Sequence, residues 1–296
     1  MTAPAIGLRQ GPRQEVVLLR WRRAKNAFFM GLIWTSLAIA LVPLGLIVYY
    51  VLRQGARVVD WDFLTQPIPV VSSLAGPGMS AAVVGTLAIT AGATLMAVPL
   101  GVLAAVYLNE YGRTGRLATV IRTMSDVMTG VPSIVMGLFI YTIWVLRYGL
   151  SGFAGALALA CLMLPVVIRS SEEILRLVPN GLREASLALG ASRSKTILSV
   201  VLPAALPGIT SGALLAVARA AGETAPLLFT IGATRTPNLD LFRGANTALS
   251  AQIFVNAQKP FLGAQDRAWG AALTLMVLVL VLMILARIIT RRFSTR

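Results

Sequence analysis

Glu184-Ala185-Ser186, three residues, Gly190, nine residues, Val200-Val201-Leu202-Pro203: this stretch, which also carries Arg193 and Lys195, is a polar interruption in a chain that is otherwise almost all apolar. Pro179-Asn180-Gly181 breaks the chain before it and Pro203 is expected to stop it. The Ala and Leu residues from Ala185 to Ala191 favour helix, so Glu184 to Lys195 reads as one short helix, with Gly190 free to allow a close approach or a bend. In a membrane protein such a segment is a soluble knob on which a water-soluble machine can push. The plainer reading is an amphipathic surface helix.

The composition around that knob excludes an ordinary soluble enzyme. Hydrophobic residues make up 57% and charged residues 12%, about half the charge share of a soluble domain. Apolar runs recur at lengths that suit a bilayer, where about 20 residues cross the hydrocarbon. They are 27–52, 80–108, 127–146, 148–168, 207–233 and 268–286. This gives an all-α membrane protein of six spans. Residues 1–26 form a basic tail, 27–290 the span domain, 169–205 the long polar loop, and 291–296 a second tail. The first run is too long for a cleaved signal and ends in Tyr49, Tyr50 and Arg53. Pro43, Pro99, Pro132, Pro165 and Pro226 lie where they can kink spans. Gly208 and Gly212 allow close helix packing.

The net charge of +15 does not point to nucleic acid, because the cations flank apolar runs. With both termini inside, eighteen cations fall on the cytoplasmic side, Arg113 among them, and seven outside. The positive-inside rule therefore places 169–205 in the cytoplasm. Cys161 is the sole cysteine, there is no His, and a Cys/His metal site is not expected. Ser194-Lys195-Thr196 lacks the glycine a phosphate-cradling loop needs before its Lys, so ATP is not expected to bind this chain.

The fifth run alone carries charges deep inside, in Ala218-Arg219-Ala220-Ala221-Gly222-Glu223-Thr224-Ala225-Pro226-Leu227. An Arg or Asp at a helix centre costs about 2.5–3.5 kcal/mol on insertion scales. Arg219 and Glu223 are four apart and can pair on one helix face. From a helix start near Leu206, Arg219 falls in the outer half of the membrane. Either the two form a packing pair, or they line an aqueous path in which Arg219 attracts an anion and Glu223 limits its retention. Arg169, at the end of the fourth run, is a weaker path candidate that can equally snorkel to headgroups. Asp126 opens the third run as a cap or a partner, and 245–258 reads as a surface helix.

The 184–203 spacing resembles the EAA loop of ABC importer membrane subunits, with Ser186 in place of an Ala and Val200 in place of Ile. The Arg219–Leu227 stretch and Val131-Pro132-Ser133-Ile134-Val135-Met136-Gly137-Leu138 resemble the PstA-type permeases of bacterial phosphate importers. That resemblance covers roughly 27–290. It implies a type I ABC importer permease of MetI-like fold in the bacterial cytoplasmic membrane. It also implies a second, PstC-like permease, two copies of a PstB-like ATP-binding subunit that holds the ATP and Mg, and a PstS-like phosphate-binding protein outside. Glu184, Ala185, Gly190, Leu202 and Pro203 would then serve coupling to the ATPase, and Arg219 and Glu223 the passage of phosphate. Permeases for sulfate or molybdate are similar more loosely, with Gly-Glu-Phe-Gly where this chain has Gly222-Glu223-Thr224-Ala225. A membrane signalling subunit that reports phosphate status is a further alternative.

Overall fold

Long apolar stretches with few internal breakers have no way to satisfy their backbone groups in lipid other than by helix, and helix is what the chain forms. The computed structural model describes residues 12–71, 73, 78–112 and 115–294. Residues 1–11 of the basic tail, Arg113, and the chain end at 295–296 lie outside the described residues. Among the described residues there is no strand. The chain divides into two units, residues 1–52 and 53–296.

The described residues of the first unit all belong to one helix. α1 spans Pro12–Gly55, so the part of the basic tail described is helical and continuous with the first apolar run. Pro43 lies inside α1 without ending it. The side chains from Trp21 to Tyr50 are exposed, as suits a helix whose neighbour is lipid.

The second unit holds α2 (Trp61–Thr65), α3 (Ser80–Tyr111), α4 (Arg116–Gly130), α5 (Ser133–Tyr148), α6 (Gly152–Leu177), α7 (Asn180–Ala188), α8 (Arg193–Ala221), α9 (Ala225–Thr230), α10 (Leu249–Ala257) and α11 (Leu262–Ser294). Counting α1, five described helices are long and apolar enough to cross a membrane, and the bent pair α4–α5 makes a sixth span if taken together. The core is built on α3, α6 and α8, where Ala93, Ala97, Ala156, Ala160, Ala216 and Ala220 let backbones approach around Ile89, Leu159 and Met163. Gly208 and Gly212 do what their spacing suggests. A Cβ on Gly208 would lie 2.5 Å from Ile174, and one on Gly212 2.5 Å from Ser170, so α8 lies directly on α6.

Four expectations are corrected. The third span does not begin at 127 but at Arg116, and the kink expected at Pro132 is where it breaks. It bends by 107° between α4 and α5. Pro132 removes a donor and pushes Val131 to extended backbone (φ −73°, ψ 126°). Pro203 does not stop the chain. α8 runs through it because the preceding turn, Ile197–Val201, is a π turn that makes room for the proline ring. The fifth span is not one helix over 207–233, since α8 ends at Ala221 and α9 begins at Ala225. Finally, the surface helix expected over 245–258 is shorter, although Phe254 and Val255 do keep an exposed face. The helix is confined to Leu249–Ala257, and Asn246 (0% exposed), Thr247 and Ala248 before it are buried. A Cβ on Gly85 would lie 1.9 Å from the Thr247 carbonyl oxygen, so this segment is pressed onto α3.

Candidate substrate path and coupling surface

The polar interruption folds as two helical pieces rather than the single helix expected over Glu184–Lys195. α7 ends at Ala188, and Gly190 then takes φ +82°, a conformation that disfavours any residue with a Cβ. No atom lies within 4 Å of a Cβ built there, so the glycine serves the turn and not a close contact. The Gly190 amide donates to the Leu187 carbonyl and the Ala191 amide to the Ser186 carbonyl, which closes the end of α7. Ser192 caps α8 through the Lys195 amide, and the Ser186 and Thr196 hydroxyls, 2.9 Å apart, tie the two pieces together.

This hairpin is clamped from below. Arg183 donates to the Glu110 carboxylate at 2.8 Å, to the Leu175 carbonyl at 2.9 Å and to the Val178 carbonyl at 2.6 Å. Arg193 donates to the Glu110 carbonyl, and its guanidinium lies 5.0 Å from the Tyr111 ring centre. Glu172 on α6 takes Arg122 and Arg176. The inner face of the loop is thus fixed to the ends of α3 and α6. The outer face is free, with Glu184, Ala185, Leu187 and Leu189 exposed. Among the described residues Glu184 makes no ion pair. Of the remaining coupling candidates, Leu202 packs against the Ala105–Leu175–Val201 cluster and Pro203 is exposed on α8. The sequence reading missed Glu110, Glu172 and their arginine partners. Its one available signal was carboxylates in an acid-poor chain beside the ends of apolar runs.

Arg219 and Glu223 are brought together, but not on one helix face. Arg219 sits in the last turn of α8 and Glu223 in the break before α9. The Glu223 amide donates to the Ala220 carbonyl, and its own carbonyl accepts from the Ser250 hydroxyl at 2.9 Å. Arg219 Nε and Glu223 Oε1 are 3.8 Å apart, with the arginine side chain 73% exposed and the carboxylate side chain 21%. Gly212 meets Ser170, and seven residues of antiparallel helix from there, about 10 Å, bring Arg219 level with about Met163, near the middle of α6. The helix therefore breaks level with about the middle of α6, next to an open cationic side chain.

Gly137 of α5 packs on this break. A Cβ there would lie 2.6 Å from the Pro226 Cα. The Val131–Leu138 and Arg219–Leu227 stretches, ninety residues apart in the chain, thus form one structure. Arg169 is not part of it. Its partner is Asp126 of α4, and α6 runs on past it to Leu177, so it does not end its helix. Among the described residues no cluster of metal-ligating side chains occurs.

Residues 97–295 match the family model described as binding-protein-dependent transport system inner membrane component. The chain is 44% identical over 284 residues to the phosphate transport system permease protein PstA 1 of Mycobacterium tuberculosis strain H37Rv, covering 93% of this chain and 90% of that protein. It is 47% identical over 263 residues to the PstA of Mycobacterium leprae, covering 87% and 86%. With the PstA of Yersinia pestis it shares 41% over 270 residues, 91% of each. Among solved structures, a bacterial ABC transporter involved in import of the acidic polysaccharide alginate has the same fold at TM-score 0.60, with 15% identity over 92% of this chain and 98% of that one. The inward-facing methionine transporter MetNI matches at TM-score 0.56 and 21% identity, over 73% and 97%.

Proposed function

The chain belongs to the binding-protein-dependent inner-membrane transport components, among the PstA permeases, and we propose that it forms, with a second PstC-like permease, the path by which inorganic phosphate crosses the cytoplasmic membrane. It is a permease subunit and not an enzyme; ATP is hydrolysed by a separate subunit. The observation that carries the path is the helix break level with the middle of α6, with Arg219 exposed beside it. A charge in that place is costly unless it faces water or a partner. A pair 3.8 Å apart and largely open contributes little to stability, so packing is a poor reason for keeping it. Broken helices whose ends face a cavity are the usual substrate-site device in transporters. Arg219 attracts the anion, and Glu223, held by the Ser250 contact to its carbonyl, keeps that attraction weak enough for release. Arg169, paired with Asp126 about 10 Å nearer the loop, has the weaker case for a place on the same route.

Energy enters at the other end. The exposed face of α7, with Glu184 and Ala185 forward and Gly190 setting the turn, docks in a PstB-like ATPase, one of two copies. Leu202 and Pro203 on α8 carry its movement towards Arg219. A PstS-like binding protein delivers phosphate from the opposite side. The cation distribution supports placing both termini in the cytoplasm.

Uptake of radiolabelled phosphate by the reconstituted complex, in competition with sulfate and molybdate, tests the cargo. Phosphate uptake that neither competitor reduces is expected. Uptake of sulfate or molybdate without phosphate would transfer the reading to another oxyanion. For orientation, Leu189→Cys and Leu239→Cys, both at exposed positions, are made in a Cys161→Ser background. An impermeant thiol reagent on intact cells should label only the second, and labelling of the first would invert the topology.

A further inference from the structure

At the end of the second unit opposite α7, an open cavity of about 530 Å³ lies between the 68–70 and 233–235 segments, α10, and the start of α11. Its lining includes Arg235, Lys259, Arg267, Gln252 and Asn256. Three of these are cations and two are amides, and among the described residues no carboxylate lines it. Asp266, next to Arg267 in the chain, is exposed and is not among the lining residues. The site is built rather than loosely charged. Arg267 is 2% exposed and Asn256 equally covered, so the floor holds a buried guanidinium and a buried amide. The Ile68 amide donates to the Arg235 carbonyl at 3.0 Å, and Arg235 reaches the Val70 carbonyl at 3.5 Å, which ties the two rim segments together. Asn256 donates to the Gln252 backbone and side-chain oxygens at 2.9 Å, and Lys259 reaches Asn256 Oδ1 at 3.4 Å. A buried charge on low-dielectric walls focuses its field into the opening.

The position is as informative as the charge. α10 connects the cavity to the path. Ser250, in its first turn, holds the Glu223 carbonyl, and Asn256, six residues on, lines the cavity. At 1.5 Å per residue that is about 9 Å. We propose that this cavity is a waiting site for a small tetrahedral oxyanion, which holds phosphate released by the binding protein before it reaches Arg219. The choice of phosphate rests on the transport reading above; the anion site itself rests on the cavity.

The test is equilibrium binding of inorganic phosphate to the complete, ATP-free complex without binding protein, in an Arg219→Gln background so that the deeper charge does not contribute. That complex should bind phosphate. Adding Arg235→Gln and Lys259→Gln, both rim residues, should weaken binding by at least about tenfold, the size of a single charge-assisted hydrogen bond. Arg267→Gln should weaken it further wherever the complex still assembles. No phosphate binding by the background complex, or equal affinity in the rim variant, overturns the proposal. So does a rim variant that loses binding-protein association while keeping phosphate affinity, because the cavity is then a protein-docking face. Uptake by the unsubstituted complex, measured beside these, decides the transport reading separately.

Discussion

Arg183 and Glu110, under the polar loop, are 2.8 Å apart with side chains 12% and 6% exposed; Arg219 and Glu223, at the helix break, are 3.8 Å apart with side chains 73% and 21% exposed. Both are Arg–Glu pairs in a chain with few carboxylates. The first is enclosed and surrounded by further donors, with Asn109 on the same carboxylate oxygen and the Leu175 and Val178 carbonyls on the same guanidinium. The second is open. A pair that must transmit force has to be rigid, and a pair that must receive and release an anion has to keep a donor accessible. The difference in enclosure separates scaffold from site more clearly than the presence of charge does.

The largest effect on stability is expected where a charge is stranded. Arg183→Ala leaves Glu110 buried without its main partner, and breaking a buried pair in this way costs about 3–5 kcal/mol. Thermal unfolding of the purified complex should fall accordingly, or the complex should fail to assemble. A variant as stable as the parent would mean that the enclosure at this end is not structural. Next in size is Gly137→Val. Its Cβ has 2.6 Å to the Pro226 Cα and the contact is backbone, so the helix break must shift. Overpacking of this kind costs about 1–3 kcal/mol, and uptake should fall further than stability does, because the displaced segment carries Glu223.

Gly190→Ala is smaller again. A Cβ in the left-handed region costs roughly 1–2 kcal/mol, and nothing nearby clashes. The spans should insert normally while ATP hydrolysis stimulated by the loaded binding protein drops. Wild-type stimulation with coupled uptake would remove the docking role from α7. The smallest stability change belongs to the open pair. Arg219→Gln with Glu223→Gln should alter thermal stability by less than about 1 kcal/mol, and a larger loss would make it a packing pair after all.

The six-span plan, the close packing of Gly208 and Gly212 on α6, and the two motif stretches were legible because period, length and residue size carry them. The helix breaks were harder. Pro132 breaks a span while Pro43, Pro99 and Pro165 do not. The distinction depends on whether neighbours re-satisfy the freed carbonyl, which no local sequence records. Pro203 was misread for the same reason, since the π turn that accommodates it is a tertiary outcome. The Arg219–Glu223 spacing suggested one helix face, although Gly222 and Pro226 are the local signals of the break between α8 and α9. The pairs Arg122–Glu172 and Arg183–Glu110 join residues fifty and more positions apart, beyond the reach of any local pattern; only Arg176, four residues from Glu172, is near in sequence. The buried 246–248 segment was not legible because its polar residues are satisfied internally, as in the bonds from the Asn246 side-chain amide to the Asn238 carbonyl and from the Gln252 side-chain amide to the Thr247 hydroxyl.

The account stands on anion passage beside Arg219, and phosphate uptake by the assembled Arg219→Gln, Glu223→Gln complex tests it most directly. Neutralising both members strands no charge, so a pair that serves packing alone should leave transport intact. The path reading predicts a complex that assembles, retains its stability and binds its ATPase, yet takes up phosphate at background rate. Uptake at the wild-type rate by that assembled double variant would contradict it.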